Sequence, residues 1–170
     1  MLIGFVGDVH GRVFHMIVAV AMWQRMAETQ LDLIIQVGDL GAYPDVSRMD
    51  AATRAYLATD PSEADFERLL HARGQQAERL VRLRQMFTYP IHFVRGNHED
   101  VTRLRSLSID SVSGTARVDP FDLLRYTPDG TVLRFQDVLI AFLSGEDASG
   151  DTSIDPEAYQ TLERPAIGPI

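Results

Sequence analysis

Three apolar runs, each broken off by glycine beside a residue able to hold a metal ion, constrain this chain more than any other feature. The first is Leu2-Ile3-Gly4-Phe5-Val6, followed by Gly7-Asp8-Val9-His10-Gly11. The second, Leu31 to Val37, ends in Gly38-Asp39. The third, Ile91-His92-Phe93-Val94, ends in Arg95-Gly96-Asn97-His98-Glu99-Asp100. Short β-favouring runs of this kind read as buried strands, and glycine permits the tight turns and close backbone approach that such loops need. Residues two apart in extended chain project to one side, so Asp8 and His10 are expected to converge on a single cation. Standing alone, the first stretch would read as a turn aspartate and a surface histidine. Its repetition at three strand ends is what a parallel sheet with a site along its carboxyl edge requires.

Between the strands the pattern is helical. Phe14, Ile17, Val18, Ala21, Met22 and Arg25 recur at three- and four-residue spacing within 13–28, which predicts a helix packed on the sheet and closes a β-α-β unit. Residues 41–62 read as a loop with a helical piece around Ala51 to Leu57. Pro61-Ser62-Glu63 then opens a long amphipathic helix, with Gly74 marking a bend or break. That segment, between two ligand-bearing loops, is placed to overhang the site. His15 and His71 are expected at exposed helix positions, and His92 in the core. From Phe121 the period shortens: Phe121 to Tyr126, the turn Thr127-Pro128-Asp129-Gly130, Thr131 to Phe135 and Val138 to Leu143 predict an antiparallel meander. In the tail, residues 155–162 carry a helix-start signal, and Arg164 to Ile170 looks like the lead-in to another strand.

At 170 residues the chain fits one domain, 1–170, burying roughly two thirds of its unfolded surface. It has no cysteine, which removes disulfide scaffolds, thiolate zinc sites and cysteine nucleophiles. No run approaches the roughly 20 apolar residues that cross a bilayer, and no signal peptide is visible at the start. A cytoplasmic protein without a membrane partner is therefore expected. The formal charge of −8 argues against broad electrostatic binding to nucleic acid.

The ordered set Asp8-x-His10, Gly38-Asp39 and Gly96-Asn97-His98-Glu99 resembles the calcineurin-like metallophosphoesterases. The resemblance implies an α/β sandwich of two mixed β-sheets flanked by helices, with a helical insertion at about 45–88. It implies two divalent metal ions, with Asp8 and His10 on the first, Asp39 bridging, Asn97 on the second and His98 as proton donor. Oxygen and imidazole ligands suit manganese, iron, zinc or nickel, and ions sharing a carboxylate lie about 3.5–4 Å apart. The implied activity is hydrolysis of a phosphate mono- or diester by a metal-bridging hydroxide.

In the protein Ser/Thr phosphatases of this superfamily an arginine in the position of Arg95 contacts the phosphate; a structural ion pair is the other role open to it. Those phosphatases also carry Val-Asp-Arg-Gly soon after the second motif. Here the sequence is Gly38-Asp39-Leu40-Gly41-Ala42-Tyr43, without the aspartate that orients the histidine. No histidine follows His98, whereas complete members have further histidine ligands. The C-terminal part of the domain is thus expected to be missing from the 170 residues, with self-association or a second polypeptide completing the site. Two other readings remain: a non-catalytic interaction or regulatory relative with an incomplete metal site, and a nucleotide-binding α/β domain suggested by Gly4, Gly7 and Gly11. The latter spacing is not Gly-x-Gly-x-x-Gly.

Overall fold

A computed structural model describes residues 1–144 and 168–169. Strand β1 (Ile3–Val6) leads through helix α1 (Val13–Met26) to β2 (Leu33–Gln36). A helical stretch follows: a 3-10 turn at Val46–Arg48, α2 (Ala51–Leu57), a second 3-10 turn at Pro61–Ala64, α3 (Asp65–His71) and α4 (Gly74–Arg84). Then come β3 (Ile91–Phe93), α5 (Val101–Arg105), β4 (Ala116–Arg117), β5 (Leu124–Tyr126), β6 (Val132–Phe135), β7 (Val138–Ala141) and β8 (Gly168–Pro169).

The larger sheet has the order β1-β2-β3-β5-β4. Its first four strands are parallel, and β4 is antiparallel to β5. Strand β2, buried along its whole length, shows how one strand serves two layers. Leu33 and Ile35 belong to a cluster with Leu133 and Phe135 of the second sheet and Phe142 just after it, whereas Ile34 clusters with Ile17, Leu69 and Phe93 on the helical side. Alternation with period two puts successive side chains on opposite faces. Each fully buried aliphatic or aromatic side chain contributes roughly 1.5–3 kcal/mol, so these two layers hold the strand ends in place.

Three expectations change in detail. Helix α1 buries Val13, Met16, Ile17, Ala21 and Gln24 and leaves Val18, Met22, Trp23 and Met26 exposed, a face turned from the expected one. The long helix is three pieces: Ala72 and Arg73 leave the helical region, and Gly74 takes φ +54°. The meander is overturned in its first strand. β5 joins the larger sheet beside β3 in parallel, Ile91 opposite Leu124, because its alternate residues Leu124 and Tyr126 are both buried there. The Thr127–Gly130 turn therefore carries the chain from one sheet to the other, and only β6 and β7 pair antiparallel as a hairpin. β8 lies parallel to β6. The helix expected over 155–162 lies outside the described residues. Among the described residues, no helix is long and apolar enough to cross a membrane.

Candidate metal centre

The loops after β1, β2 and β3 meet at the carboxyl edge of the larger sheet and are laced by their backbones. Val9 N and His10 N both donate to the Asp39 carbonyl, at 3.0 and 2.9 Å, and Gly11 N donates to the Leu40 carbonyl at 2.9 Å. From the third loop, Asn97 N and His98 N donate to Asp39 Oδ1 at 3.0 and 3.1 Å. Such contact requires missing side chains. A Cβ on Gly96 would lie 2.1 Å from Asp39 Oδ1, and one on Gly41 would lie 2.3 Å from Gly11 N.

Asp8, His10 and Asp39 all have positive φ, at 55°, 44° and 54°. The convergence of Asp8 and His10 thus arises from left-handed turns, not from the alternation of an extended strand as expected. A non-glycine residue held there costs of order 1–3 kcal/mol, and such strain collects at functional sites. His10, Asp39 and His98 each offer a ligand-type atom, and these atoms lie within 4.8 Å of one another. Asp8 lies beside this group, its exposed carboxylate Oδ1 2.6 Å from His10 Nε2. Asn97 is half-buried next to Asp39. A carboxylate has about four acceptor positions; two at Asp39 are taken by amides, which leaves the others for cations. Clustered imidazole and carboxylate donors suit a divalent transition metal.

Next to this cluster Glu99 is buried, and its carboxylate accepts from Leu40 N at 2.7 Å and Gly96 N at 3.0 Å. Burial pushes its pKa up to about 7, against the opposing pull of these amides. Arg95 is also buried, with Nε 3.3 Å from Asp129 Oδ2 in the turn between the sheets, so the ion pair among its two open roles is present. His15 and His71 are exposed, and His92 is a core residue with Nδ1 3.0 Å from Thr127 Oγ1.

The sequence did not reveal Asp50. It sits 3.1 Å from His98 Nδ1 through Oδ2, and Thr53 Oγ1 lies 3.2 Å from the same nitrogen. The His98 ring stands edge-on to His10, with centroids 4.6 Å apart, and with Nδ1 engaged its Nε2 is the nitrogen left to act. Asp50 is itself fixed as the N-cap of α2, Oδ1 accepting from Ala52 N and Thr53 N, and Oδ2 from Tyr43 Oη at 2.8 Å. Burial opposes its ionisation, but hydrogen bonds from Thr53, Tyr43 and His98 together outweigh that and hold its carboxyl well below the usual range. The helical stretch thus places a carboxylate against the His98 ring. Its capping role was readable from an aspartate before a helix start; its meeting with a residue 48 positions away was not.

A cavity of about 400 Å³ opens beside the cluster, lined by His10, Arg12, Thr53, Tyr56, Glu63 and His98. A larger groove of about 550 Å³ between β1 and α1 is walled by apolar side chains such as Phe5, Val20 and Trp23. None of the described residues lining it is titratable, whereas the smaller cavity is lined by His10, Arg12, Glu63 and His98.

The family model described as calcineurin-like phosphoesterase matches residues 1–158. The comparison with curated proteins found no match.

Proposed function

Since the chain belongs to the calcineurin-like phosphoesterase family, we propose that it is a divalent-metal-dependent hydrolase of phosphate esters. The observation that carries this is the meeting of His10, Asp39 and His98 within 4.8 Å from three separate strand ends. Asp8, His10, Asp39 and Asn97 are the proposed metal ligands, and manganese, iron, zinc or nickel would suit them. Divalent cations held there neutralise phosphate charge and lower the pKa of water. The protein's own part is positional. Asp39, pinned by the amides of Asn97 and His98, keeps its remaining acceptor positions aimed at the site. His98, oriented through Nδ1 by Asp50, holds a proton at Nε2 for the departing oxygen, a role typically worth on the order of 10²–10⁴ in rate. Arg95, whose Nε is paired with Asp129, is the proposed phosphate contact through its guanidinium fork.

The second reading, a non-catalytic module, draws on the histidine inventory. Of the chain's 5 histidines, His15 and His71 face solvent and His92 is in the core, so a second cation would rest on Asp39 and Asn97. Metal analysis combined with a hydrolysis screen of mono- and diesters in manganese separates the two. The hydrolase reading expects bound metal and turnover, both lost in Asp39→Asn. That variant keeps an oxygen for the two amides, and asparagine tolerates positive φ, so the fold should survive. Turnover unchanged in Asp39→Asn at saturating metal would reject the assignment, and absence of turnover on both ester types would favour the module.

A further inference from the structure

Resting on the hydrolase reading above, we infer that the cavity beside His98 receives the leaving group and selects an uncharged aromatic alcohol, as in an aryl or nucleosidyl phosphate ester. The proton donor must face the departing oxygen, so the leaving group lies on the His98 side. That side is the cavity of about 400 Å³. One of its walls is the face of α2 that presents Ala52, Thr53 and Tyr56, where Tyr56 stands three and four residues from the other two and so shares their side of the helix. The helix is fixed in turn by Asp50, which also orients His98.

Tyr56 is 64% exposed although it lines a cavity. Among the described residues none makes a ring contact with it, so its face is open to a planar group, and aromatic pairs gain beyond simple area burial. The electrostatics of the lining narrow the choice further. Its cation, Arg12, is already engaged: Nε lies 2.8 Å from Asp60 Oδ2, and a terminal nitrogen 3.9 Å from Glu63 Oε1. Two carboxylates against one guanidinium leave no net positive charge for a second anion. A leaving group carrying its own phosphate or carboxylate, as in a bisphosphate or a nucleoside diphosphate, would meet Asp60 and Glu63 unfavourably. A flat neutral one would not.

The test uses non-hydrolysable probes on the metal-loaded chain, with affinity read by calorimetry. Phenylphosphonate should bind about tenfold more tightly than methylphosphonate, and 3-phosphonopropionate, with its extra carboxylate, more weakly than either. Tyr56→Ala should abolish the phenyl preference while leaving methylphosphonate affinity unchanged, and Tyr56→Phe should retain it. Equal affinity for phenyl and methyl probes, a preference that survives in Tyr56→Ala, or tightest binding of the carboxylate probe would overturn the inference and leave the hydrolase reading standing. Failure of all three phosphonates to bind would overturn both.

Discussion

His98 and Asp50 show how much of this site is decided by single atoms. Asparagine caps a helix as well as aspartate does, so Asp50→Asn should leave α2 and the melting temperature nearly unchanged while removing the charge opposite His98 Nδ1. Turnover of alkyl esters, whose leaving oxygen needs a proton, should fall by about tenfold or more, within the 10²–10⁴ bound set by losing the acid altogether. Nitrophenyl esters should be spared, and metal content should stay constant. Equal loss on both ester types would remove Asp50 from any role through His98. His92 makes a different prediction. Burial lowers its pKa to about 4, below the 6.5 of an unfolded histidine. The unfolded chain therefore binds more protons between these values, and stability present above pH 6.5 is lost as pH falls through 4. The loss is of order 3 kcal/mol. A urea-melt pH series should show this acid limb, and His92→Gln should flatten it.

The strand-end loops were the most legible elements, because apolar runs interrupted by glycine and ligand-type residues carry their own punctuation. The α2 helix was found at its observed limits, and His92 was rightly placed in the core. Helix α1 was found, but its buried face was not. Its 14 residues are apolar on nearly every side, and a periodicity argument needs polar residues to locate the boundary. The meander failed for a related reason. Short strands such as β5 carry too few residues to declare which sheet they join, and Leu124 and Tyr126 fill a place beside β3 that no local pattern announces. Within the loops, Gly96 offers the sharpest check. Gly96→Ala would drive a methyl into Asp39 Oδ1, so overpacking should cost about 1–3 kcal/mol in a denaturant melt. Metal binding should be lost at the same time. A variant that keeps full metal content would contradict the close approach of the second and third loops.

At the scale of the molecule, the strained residues Asp8, His10 and Asp39 lie on the candidate ligand loops, beside strands β2 and β3, which are buried along their length. A cation that binds only the folded form stabilises it by mass action, about 2.7 kcal/mol at a concentration one hundred times its dissociation constant. For a chain of this size that corresponds to a rise of about 5–10 °C. A manganese titration followed by thermal melting should show the rise in the wild type and little of it in Asp39→Asn. A wild-type melt indifferent to manganese would deny the site a cation.

The parallel order β1-β2-β3-β5 also governs the time taken to reach the native state. Ile3 pairs with Leu33, Ile35 with His92 and Ile91 with Leu124, so each parallel pairing closes a long stretch of chain before any contact repays the lost entropy. Chains dominated by such non-local contacts cross their folding barrier slowly. The three loops exist as neighbours only once β1, β2 and β3 are side by side. A cation therefore has nothing complete to grip in the transition state, and its whole benefit falls on the escape rate: it should leave refolding as slow as before and make unfolding slower.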